Sequence, residues 1–463
     1  MSYDTDPRKS PKYVQELKSS LTTRYSGQSN LDKTMANLYN QAHVIEGRAP
    51  QSADLRFKPV GSGLAGLVVD QDVSVLLGDL TVRVAPRGGA QAERFVSDTL
   101  EPFAQLGLEV MQKDAEVWRG CVFDMRCYGR TFALGPLPAP MFWGDSELKE
   151  LYEKLENAEE EKKAGIRKDI AAFKEANFPI VWVRWEAPDV YCTWSKRRQP
   201  KEVIYCRKMY AGEIMAEWGD VLPKKGRYTY KESDEVDIID YVNSKYFATV
   251  IPNKDEPYVH TWEHRMGTVP VTFGESMRLP QNDKGHIWAG ACYHLRELIP
   301  SLDDALTDIR TIIREYPNTT DVAYVNPTAR ADIEGWPSTV QVKPGETTNM
   351  LVEEKLERSP TPEVKFDVYQ FINIAKGFAD QMGTSRPALV GTGPSGQSAV
   401  HLNESNQIAK AELKGPHRGL ERAARRAVQL LFRSVPALAA EFPGTDEKVT
   451  IRSADSKYKS KAV

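Results

Sequence analysis

The sequence predicts an α+β protein, and three features of the chain point to this class. Residues 179–275 are rich in aromatic and β-branched residues and are divided by turn signals, as in a series of short strands. Long stretches elsewhere repeat apolar residues at three- and four-residue steps, which is typical of amphipathic helices. A small β-rich module at 318–360 lies between two of these helical stretches.

Length and charge set the first limits on function. At roughly 150 residues per domain, 463 residues predict about three domains. The net charge is -3, from 61 Lys and Arg against 64 Asp and Glu. Duplex-binding proteins usually carry a basic surplus, because neutralising phosphates supplies most of their affinity. Any contact of this chain with DNA is therefore expected to be loose.

The cysteines and the apolar runs predict an intracellular chain without a membrane partner. The five cysteines are odd in number and no pair has the spacing of zinc ligands, so we expect reduced, mostly buried thiols. They are Cys121, Cys127, Cys192, Cys206 and Cys292. The polar start MSYDTDPRKSPKY has no signal-peptide core, and no run reaches the ~20 apolar residues of a membrane helix. We expect synthesis in the cytoplasm.

In the first third of the chain, apolar spacing predicts helices over 11–43 and 91–128. The Val- and Leu-rich segment 64–84 predicts strands. Gly129 is expected to end the second helical stretch, and an extended segment is expected from Thr131 onward.

The middle of the chain combines a charged helical stretch with the β-rich region. Residues 146–176 carry one apolar stripe and predict a solvated helical hairpin broken near Gly165, with a partner-binding coiled coil as the alternative. In residues 179–275 the tryptophans are expected to pack in the core or on sheet faces. These tryptophans are Trp182, Trp185, Trp194 and Trp262.

The second half alternates helices with short strands and one small-residue loop. A helix is predicted over 287–316, then strands in VAYV, TVQV and TNMLV, and a second helix over 363–382. A third helix spans 399–434, interrupted at Gly415-Pro416. Two helices flanking a β module describe a stalk with a cap. Because a thin stalk exposes its apolar stripes, these need lateral partners, which a ring of identical chains supplies.

No catalytic or cofactor motif is complete, so we expect neither an enzyme nor a cofactor or metal site. Residues 391–396 fit G-x-G-x-x-G, but a helix rather than a strand precedes them, so a mobile loop is favoured over a nucleotide site. The i,i+4 pair His260 and His264 lies in a strand-rich context, where that spacing does not give one metal-binding face. No phosphate loop, H-E-x-x-H or G-x-S-x-G is present.

A group of arginines marks the last predicted helix. Without interleaved aromatics, single-strand binding is unsupported. Salt bridges to neighbouring subunits or a solvated face are favoured over DNA contact. The arginines are Arg418, Arg422, Arg425, Arg426 and Arg433.

Taken in chain order, four stretches resemble tailed-bacteriophage portal proteins. Residues 114–136, DAEVWRGCVFDMRCYGRTFALGP, are similar to a portal helix that ends in a YGR-hydrophobic strand entry. Residues 264–276, HRMGTVPVTFGES, are similar to a G-x-[VI]-P-V strand, and the helix LIPSLDDALTDIRTIIREY follows. The most specific stretch is 395–432, which resembles a Ser-Gly-x-Ser-like turn opening a long kinked helix.

The resemblance implies a portal-like architecture. Its expected parts are a mixed wing at 1–286 with the 146–176 insert, stem helices at 287–317 and 363–384, a small β clip at 318–362, a tunnel loop at 385–402, a kinked wing helix at 403–435 and a short tail or minimal crown at 436–463. The insert has no counterpart in the family that we can match.

Site residues follow from the same resemblance. The channel-facing tunnel loop would comprise Arg386, Leu389, Val390, Gly391, Thr392, Gly393, Pro394, Ser395, Gly396, Gln397 and Ser398. Charged stem positions would be Asp303, Asp304, Asp308, Arg310, Arg314 and Lys376, and the helix kink would be at Gly415 and Pro416.

The resemblance also implies a function and a set of partners. Portal proteins form a homo-oligomeric ring, usually a dodecamer, at one capsid vertex of the virion. Double-stranded DNA passes through the ring during packaging, retention and ejection. The expected partners are the major capsid protein, the terminase large subunit and a head-tail adaptor protein. The alternatives are another head-completion or minor capsid protein, or an enzyme with a cryptic site in the β-rich region.

Overall fold

The computed structural model describes two units of the chain. Unit 1 comprises Met1–Lys33, Val69–Ala291 and Gln397–Val463, and unit 2 comprises Thr34–Val68 and Cys292–Gly396. The described residues are 6–7, 10–46, 60–78, 81–84, 94–113, 117–143, 146–196, 198–219, 221–222, 230–252, 257–280, 285–315, 321–324, 339–342, 355–358, 369–370, 372–374, 377, 413–441, 450–451 and 461–462.

Helices and strands are both abundant, so the expected α+β class is confirmed. The helices are α1 Pro11–Arg24, α2 Ser26–Tyr39, α3 Ala42–Glu46, α4 Leu64–Leu76, α5 Glu101–Lys113, α6 Val117–Tyr128, α7 Glu147–Glu156, α8 Glu160–Ala176, α9 Ala211–Trp218, α10 Leu298–Glu315 and α11 Lys414–Glu441. A π-helical turn, Val96–Leu100, leads directly into α5.

In the part of the chain that the structure describes, the strands form five antiparallel sheets. In chain order they are β1 Arg130–Pro138, β2 Ile180–Trp185, β3 Val190–Trp194, β4 Pro200–Tyr210, β5 Glu235–Val242, β6 Tyr246–Ile251, β7 Tyr258–Glu263, β8 Val271–Glu275, β9 Met277–Arg278, β10 Trp288–Ala289, β11 Asp321–Tyr324, β12 Thr339–Val342, β13 Lys355–Arg358, β14 Thr450–Ile451 and β15 Lys461–Ala462. The sheet orders are β2-β1-β8, β3-β4-β5-β6-β7, β10-β9, β12-β11-β13 and β14-β15.

Unit 1 is built around the two larger sheets. Strand β1 lies between β2 and β8, with Phe132 opposite both Trp185 and Phe273. The five-stranded sheet is a meander in which each strand pairs with the next along the chain. Buried side chains of both sheets, including Val203 and Val271, share one apolar cluster, which joins the two sheets into a single core.

The N-terminal helix α1 covers part of the five-stranded sheet. Val14, Leu21 and Tyr25 are spaced seven and four residues apart, so their side chains lie on the same helical face. They are buried together with Tyr241 and Trp288. This confirms the helical prediction for the start of the chain, and its apolar stripe explains why the helix docks on the sheet.

Unit 2 contains α10 and the small sheet β12-β11-β13. In α10, Ile299, Leu302, Asp303 and Thr307 are buried, so one helical face is covered within the unit. Strand β11 is central, with Val322 opposite both Gln341 of β12 and Glu357 of β13.

Several sequence predictions agree with these elements. Residues 101–113 and 117–128 are helical, Gly129 ends α6 with a φ of +75°, and the extended segment follows as β1. The region 179–275 is strand-rich, and β11 and β12 fall within the predicted β module. Within the described residues no helix combines the length and apolarity needed to cross a membrane.

The strand prediction for 64–84 is wrong over its first part, because Leu64–Leu76 is helical. Its buried residues follow a helical repeat, Ala65, Val68, Val69, Asp72, Val73 and Leu76. The valine content suggested strands, but the three- and four-residue spacing of the buried positions decides the structure.

Two predicted boundaries also differ, and one strand was not predicted. The hairpin breaks at residues 157–159, while Gly165 lies inside α8 with open space around it. The helix predicted from 287 begins at Leu298, after strand β10 and a 3-10 turn; its Pro300 lies in the first turn, where a missing N–H costs nothing. Strand β13 was missed, and TNMLV lies outside the described residues.

Candidate functional site

Helix α11 lies against the sheet of β1 and β8 at unusually short range, and glycines make this possible. A Cβ on Gly274 of β8 would stand 2.6 Å from the carbonyl oxygen of Gly419. A Cβ on Gly419 would collide with the carbonyl oxygen of Glu275. Because neither glycine has a side chain, the backbones of helix and strand approach each other directly.

The opposite side of this contact is filled by the helices before β1. Phe103 of α5 packs against Phe432 of α11, with 6.1 Å between the ring centroids. Leu431 fills the space above Gly107, and Met125 of α6 touches both close-packed glycines. Three of the four portal-like stretches, 114–136, 264–276 and 395–432, thus contribute α6, β1, β8 and α11 to one packed body.

Arg130, in the YGR sequence, is the centre of a buried polar network in the same unit. Its Nη1 and Nη2 atoms donate to the two carboxylate oxygens of Asp32 at 3.0 and 2.7 Å, and Nη2 also donates to the carbonyl of Ala187 at 2.8 Å. The guanidinium lies 4.8 Å from the ring centroid of Trp288. Gln28 donates to Asp32 and accepts from the Trp288 backbone N–H, closing the network.

This network was not foreseen from the sequence. Gly129, immediately before Arg130, adopts a positive φ, and a Cβ there would collide with the backbone of Ala289. The sequence feature that could have predicted the network is therefore the Gly129-Arg130 pair. The glycine allows the backbone of β10 to approach the start of β1 closely, and the arginine that follows is held in the buried network.

The solvent side of α11 carries a basic row, defined here as Lys414, Arg418, Arg422, Arg425 and Arg433. All five side chains are exposed. At 100° per residue the four arginines occupy an arc of about 80°, and the row is about 29 Å long. None of the five forms a hydrogen bond or an ion pair with another described residue. The one carboxylate in the sequence between Lys414 and Arg433 is that of Glu421, which lies 3.4 Å from the His417 ring.

Arg426 belongs to the same sequence cluster but has a different role. Its Nη2 atom donates to the hydroxyl of Thr268 at 2.7 Å and to the carbonyl of Val269 at 3.2 Å. Burial, and then the nearby charge of Arg433, lower the pKa of Arg426. This arginine attaches the helix to the loop before β8, so the cluster divides into one structural residue and four exposed ones.

A second charged surface lies on the α7–α8 hairpin. We call it the acidic end and define it as Glu147, Glu150, Glu153, Glu156, Glu159, Glu160 and Glu161. All seven glutamates are exposed, and only two lysines, Lys149 and Lys154, lie among them in the sequence. The hairpin is held to the unit by the buried side chains of Leu148 and Ile170.

The predicted stem position Asp303 is buried, not solvated or channel-facing. It is 2% exposed and accepts from the backbone N–H of Ser62 at 2.7 Å, and the Nε2 atom of His43 lies 2.7 Å from its other oxygen. One turn later the hydroxyl of Thr307 accepts from the backbone N–H of Val60 at 3.0 Å. These groups bind the segment before α4 to α10 within unit 2.

The other predicted site residues fall into three groups. Asp304 and Asp308 are exposed on α10, and Arg310 is partly exposed. Gly415 and Pro416 lie in the first turn of α11, which continues through Pro436 to Glu441, beyond the predicted end at 435. The tunnel-loop residues 386–398, Lys376 and the side chain of Arg314 lie outside the described part of the chain.

One open cavity in the β-rich region bears on the enzyme alternative. Its volume is about 460 Å³, and Lys18, Asp189, Tyr205, Cys206 and Arg207 are among its lining residues. Burial raises the pKa of the Cys206 thiol to about 11 and that of the Tyr205 phenol to about 12. Both groups are therefore protonated at neutral pH, so neither is an activated nucleophile.

The remaining chemistry-bearing side chains are also placed structurally. Four of the five cysteines are buried and Cys206 is partly buried, and all are unpaired, as expected. His264 is buried and its Nε2 atom lies 3.0 Å from the Asn243 carbonyl, while burial lowers its pKa. No cluster of three or more metal-ligating side chains occurs among the residues that the structure describes.

No family model matches the chain, and no curated protein matches it. Among solved structures, it is similar to a chain in the neck of an empty gene transfer agent particle, at 9% identity and a TM-score of 0.38, over 82% of this chain and 84% of the other. It is also similar to a chain of the native gene transfer agent virion, at 10% identity and a TM-score of 0.33, over 87% and 92%. Both TM-scores are below the level that establishes a common fold.

Proposed function

We propose that this chain is the subunit of a portal: a homo-oligomeric ring, expected to be a dodecamer, at one capsid vertex of a tailed-phage-like virion. Double-stranded DNA would pass through the ring during packaging, retention and ejection. The observation that carries the proposal is the packing of α6, β1, β8 and α11. Three portal-like stretches that are far apart in sequence contribute to this one body.

The order of elements in unit 2 gives further support. Helix α10 is followed at once by the small sheet β12-β11-β13, and helical residues recur at 369–370, 372–374 and 377. A helix, a small antiparallel sheet and a second helix correspond to the stem, clip and stem of the proposed architecture. In this proposal unit 1 supplies most of the wing, and the clip binds the terminase large subunit and later the head-tail adaptor.

Particle size and shape test the proposal directly. The purified chain is expected to form rings with a central hole in negative-stain images. Light scattering should give a mass many times the 52.0 kDa of one chain. A stable monomer at micromolar concentration would overturn the proposal. An ATPase or nuclease activity that co-purifies with the intact chain would instead favour the enzyme alternative.

The tunnel-loop assignment needs its own test, because residues 386–398 lie outside the described part of the chain. In the proposal this loop faces the channel and contacts DNA. Deleting residues 391–396 is expected to leave ring assembly unchanged while reducing genome packaging or retention in particles. If particles carrying the deletion package and retain DNA like the parent, the assignment is wrong.

A further inference from the structure

The basic row of α11 places like charges where they repel each other. Arg418 and Arg422 are one helical turn apart, and so are Lys414 and Arg418. Like charges at this spacing destabilise a helix by about as much as opposite charges stabilise it. Since no described carboxylate pairs with the row, an anionic surface outside the chain would relieve this repulsion.

Two glutamates of the acidic end are paired with lysines of the same hairpin. On α8, Lys163 lies 2.7 Å from Glu160, and Lys162 lies 3.3 Å from Glu159. On α11, by contrast, the four exposed arginines form no ion pair with any residue that the structure describes.

The acidic end of the hairpin has the complementary charge. Glu150, Glu156 and Glu161 form no ion pair with any described residue, while Glu153 pairs with Lys149 at 4.0 Å. No ion pair joins this surface to the basic row within the described part of one chain. Each chain thus carries a basic row that has no ion-pair partner among the described residues, and an acidic end in which Glu150, Glu156 and Glu161 have none there either.

We propose that the basic row of one subunit binds the acidic end of the next subunit. Two different complementary surfaces on the same chain make a head-to-tail contact, and such contacts close into a ring when the rotation between copies permits. The inference rests on the ring of the proposed function and assigns a role to the α7–α8 hairpin, which the portal resemblance leaves unexplained. The contact is made by exposed charged side chains, like those at the edge of a protein interface. Such charges contribute mainly to the choice and orientation of the neighbouring subunit and less to affinity.

Duplex DNA is the competing partner for the basic row. The chain as a whole has a net charge of -3, which opposes strong phosphate binding. It also contains the acidic end, whose negative charge is complementary to the positive charge of the basic row. The observations therefore favour a second copy of this chain over nucleic acid.

Charge reversal tests the contact in the full-length protein. One variant combines Arg418→Glu with Arg422→Glu, a second combines Glu150→Lys with Glu156→Lys, and a third carries all four changes. The first two are expected to raise at least tenfold the protein concentration at which half the chains are assembled, measured by light scattering at physiological salt. The third is expected to restore assembly, because the charges are exchanged and not removed.

The control reverses two exposed basic residues away from both surfaces, Lys12→Glu with Arg24→Glu, and is expected to assemble like the parent. Thermal unfolding of each variant checks that the subunit remains folded. Either single-surface variant assembling like the parent, or failure of the exchanged variant to recover, would overturn the inference while leaving a parent ring, and so the proposed function, in place. A row variant that assembles normally but binds duplex DNA tenfold more weakly would assign the row to DNA instead. A monomeric parent would overturn both proposals.

Discussion

The buried ion pair of Arg130 and Asp32 joins two elements of unit 1. Asp32 comes from α2, Arg130 from the start of β1, and both side chains are 2% exposed. The guanidinium also donates to the Ala187 carbonyl and lies over the Trp288 ring. A buried charge is tolerated only when its partners are in place, so this pair sets how the N-terminal helices meet the sheet.

Removing the carboxylate should therefore be costly. Asp32→Asn is expected to lower the free energy of unfolding by about 3–5 kcal/mol, because the buried guanidinium loses its counter-charge. Urea denaturation followed by circular dichroism measures the loss. The neighbouring exposed residue gives the control: Lys33→Gln is expected to change stability by less than about 0.5 kcal/mol. Equal effects of the two changes would contradict this account of the pair.

The cysteines yield a prediction about reactivity and pH. Burial raises the pKa of the Cys121 thiol to about 12, and burial also raises the pKa values of Cys192 and Cys206. The nucleophilic thiolate is therefore scarce in the folded protein at pH 8. Ellman's reagent at pH 8 is expected to modify the native chain slowly, with Cys206 first, and all five cysteines rapidly in denaturant. Rapid native labelling of a second cysteine would contradict the described burial.

At the scale of elements, the contact between α11 and β8 depends on the absence of side chains at Gly274 and Gly419. The sequence predicted a helix here but not this approach, because nothing in a helical repeat distinguishes a glycine that packs against a strand from one that weakens a helix. Gly165 shows the opposite case. It was predicted to break the hairpin, but it lies inside α8 with no atom near the position of a Cβ.

These two helical glycines form a matched pair for mutation. Gly419→Ala is expected to destabilise unit 1 by roughly 1–3 kcal/mol, because the methyl group would meet the Glu275 carbonyl and force helix and strand apart. Gly165→Ala is expected to stabilise the chain by roughly 0.5–1 kcal/mol, since alanine has the higher helix propensity and space is available. Thermal melts of both variants check the sign as well as the size. Destabilisation by both changes would indicate that α8 is not packed as described.

The elements that were predicted correctly from the sequence were those whose apolar residues recur with a single clear spacing, either helical or alternating. The strand-rich region and α5, α6 and α11 follow their apolar repeats, as does most of α10. The errors came where composition and period disagreed: the valines of α4 indicated strands, while its buried positions repeat as a helix. Strand β13 contains Lys355 and Glu357 and is selected by pairing with β11, a tertiary effect that a local pattern does not contain.

For the candidate site, the sequence located the arginines of α11 but could not show which of them are exposed and which is bonded within the unit. The structure separates Arg426, bonded to the loop before β8, from the exposed basic row. It likewise separates Asp303, buried against Ser62 and His43, from the exposed Asp304. Adjacent residues of the same type point in different directions on a helix, and only their tertiary neighbours decide which of them is available to a partner.

For the whole molecule, charge balance constrains how a conduit would treat DNA. The formal charge is -3, and the exposed positive charge of the basic row is offset by the acidic end on the same unit. DNA that slides through a channel must be bound weakly, because each phosphate contact that is made must be broken again as the duplex moves. A subunit with no net positive charge meets this requirement, since few counterions are released when duplex binds.

The assembled protein is therefore expected to bind duplex DNA weakly and with strong sensitivity to salt. Fluorescence anisotropy with a labelled duplex should give a Kd in the range of about 10⁻⁴–10⁻⁶ M at physiological salt, which is typical of sequence-independent binding. Affinity should fall further as salt rises, because exposed charges are screened beyond about 10 Å at 0.1 M ionic strength. The Lys12→Glu, Arg24→Glu control should bind like the parent, and an unrelated duplex sequence should give the same Kd. Sub-nanomolar binding at physiological salt, or a preference for one sequence, would be inconsistent with a passive channel and would point to a protein that holds its DNA.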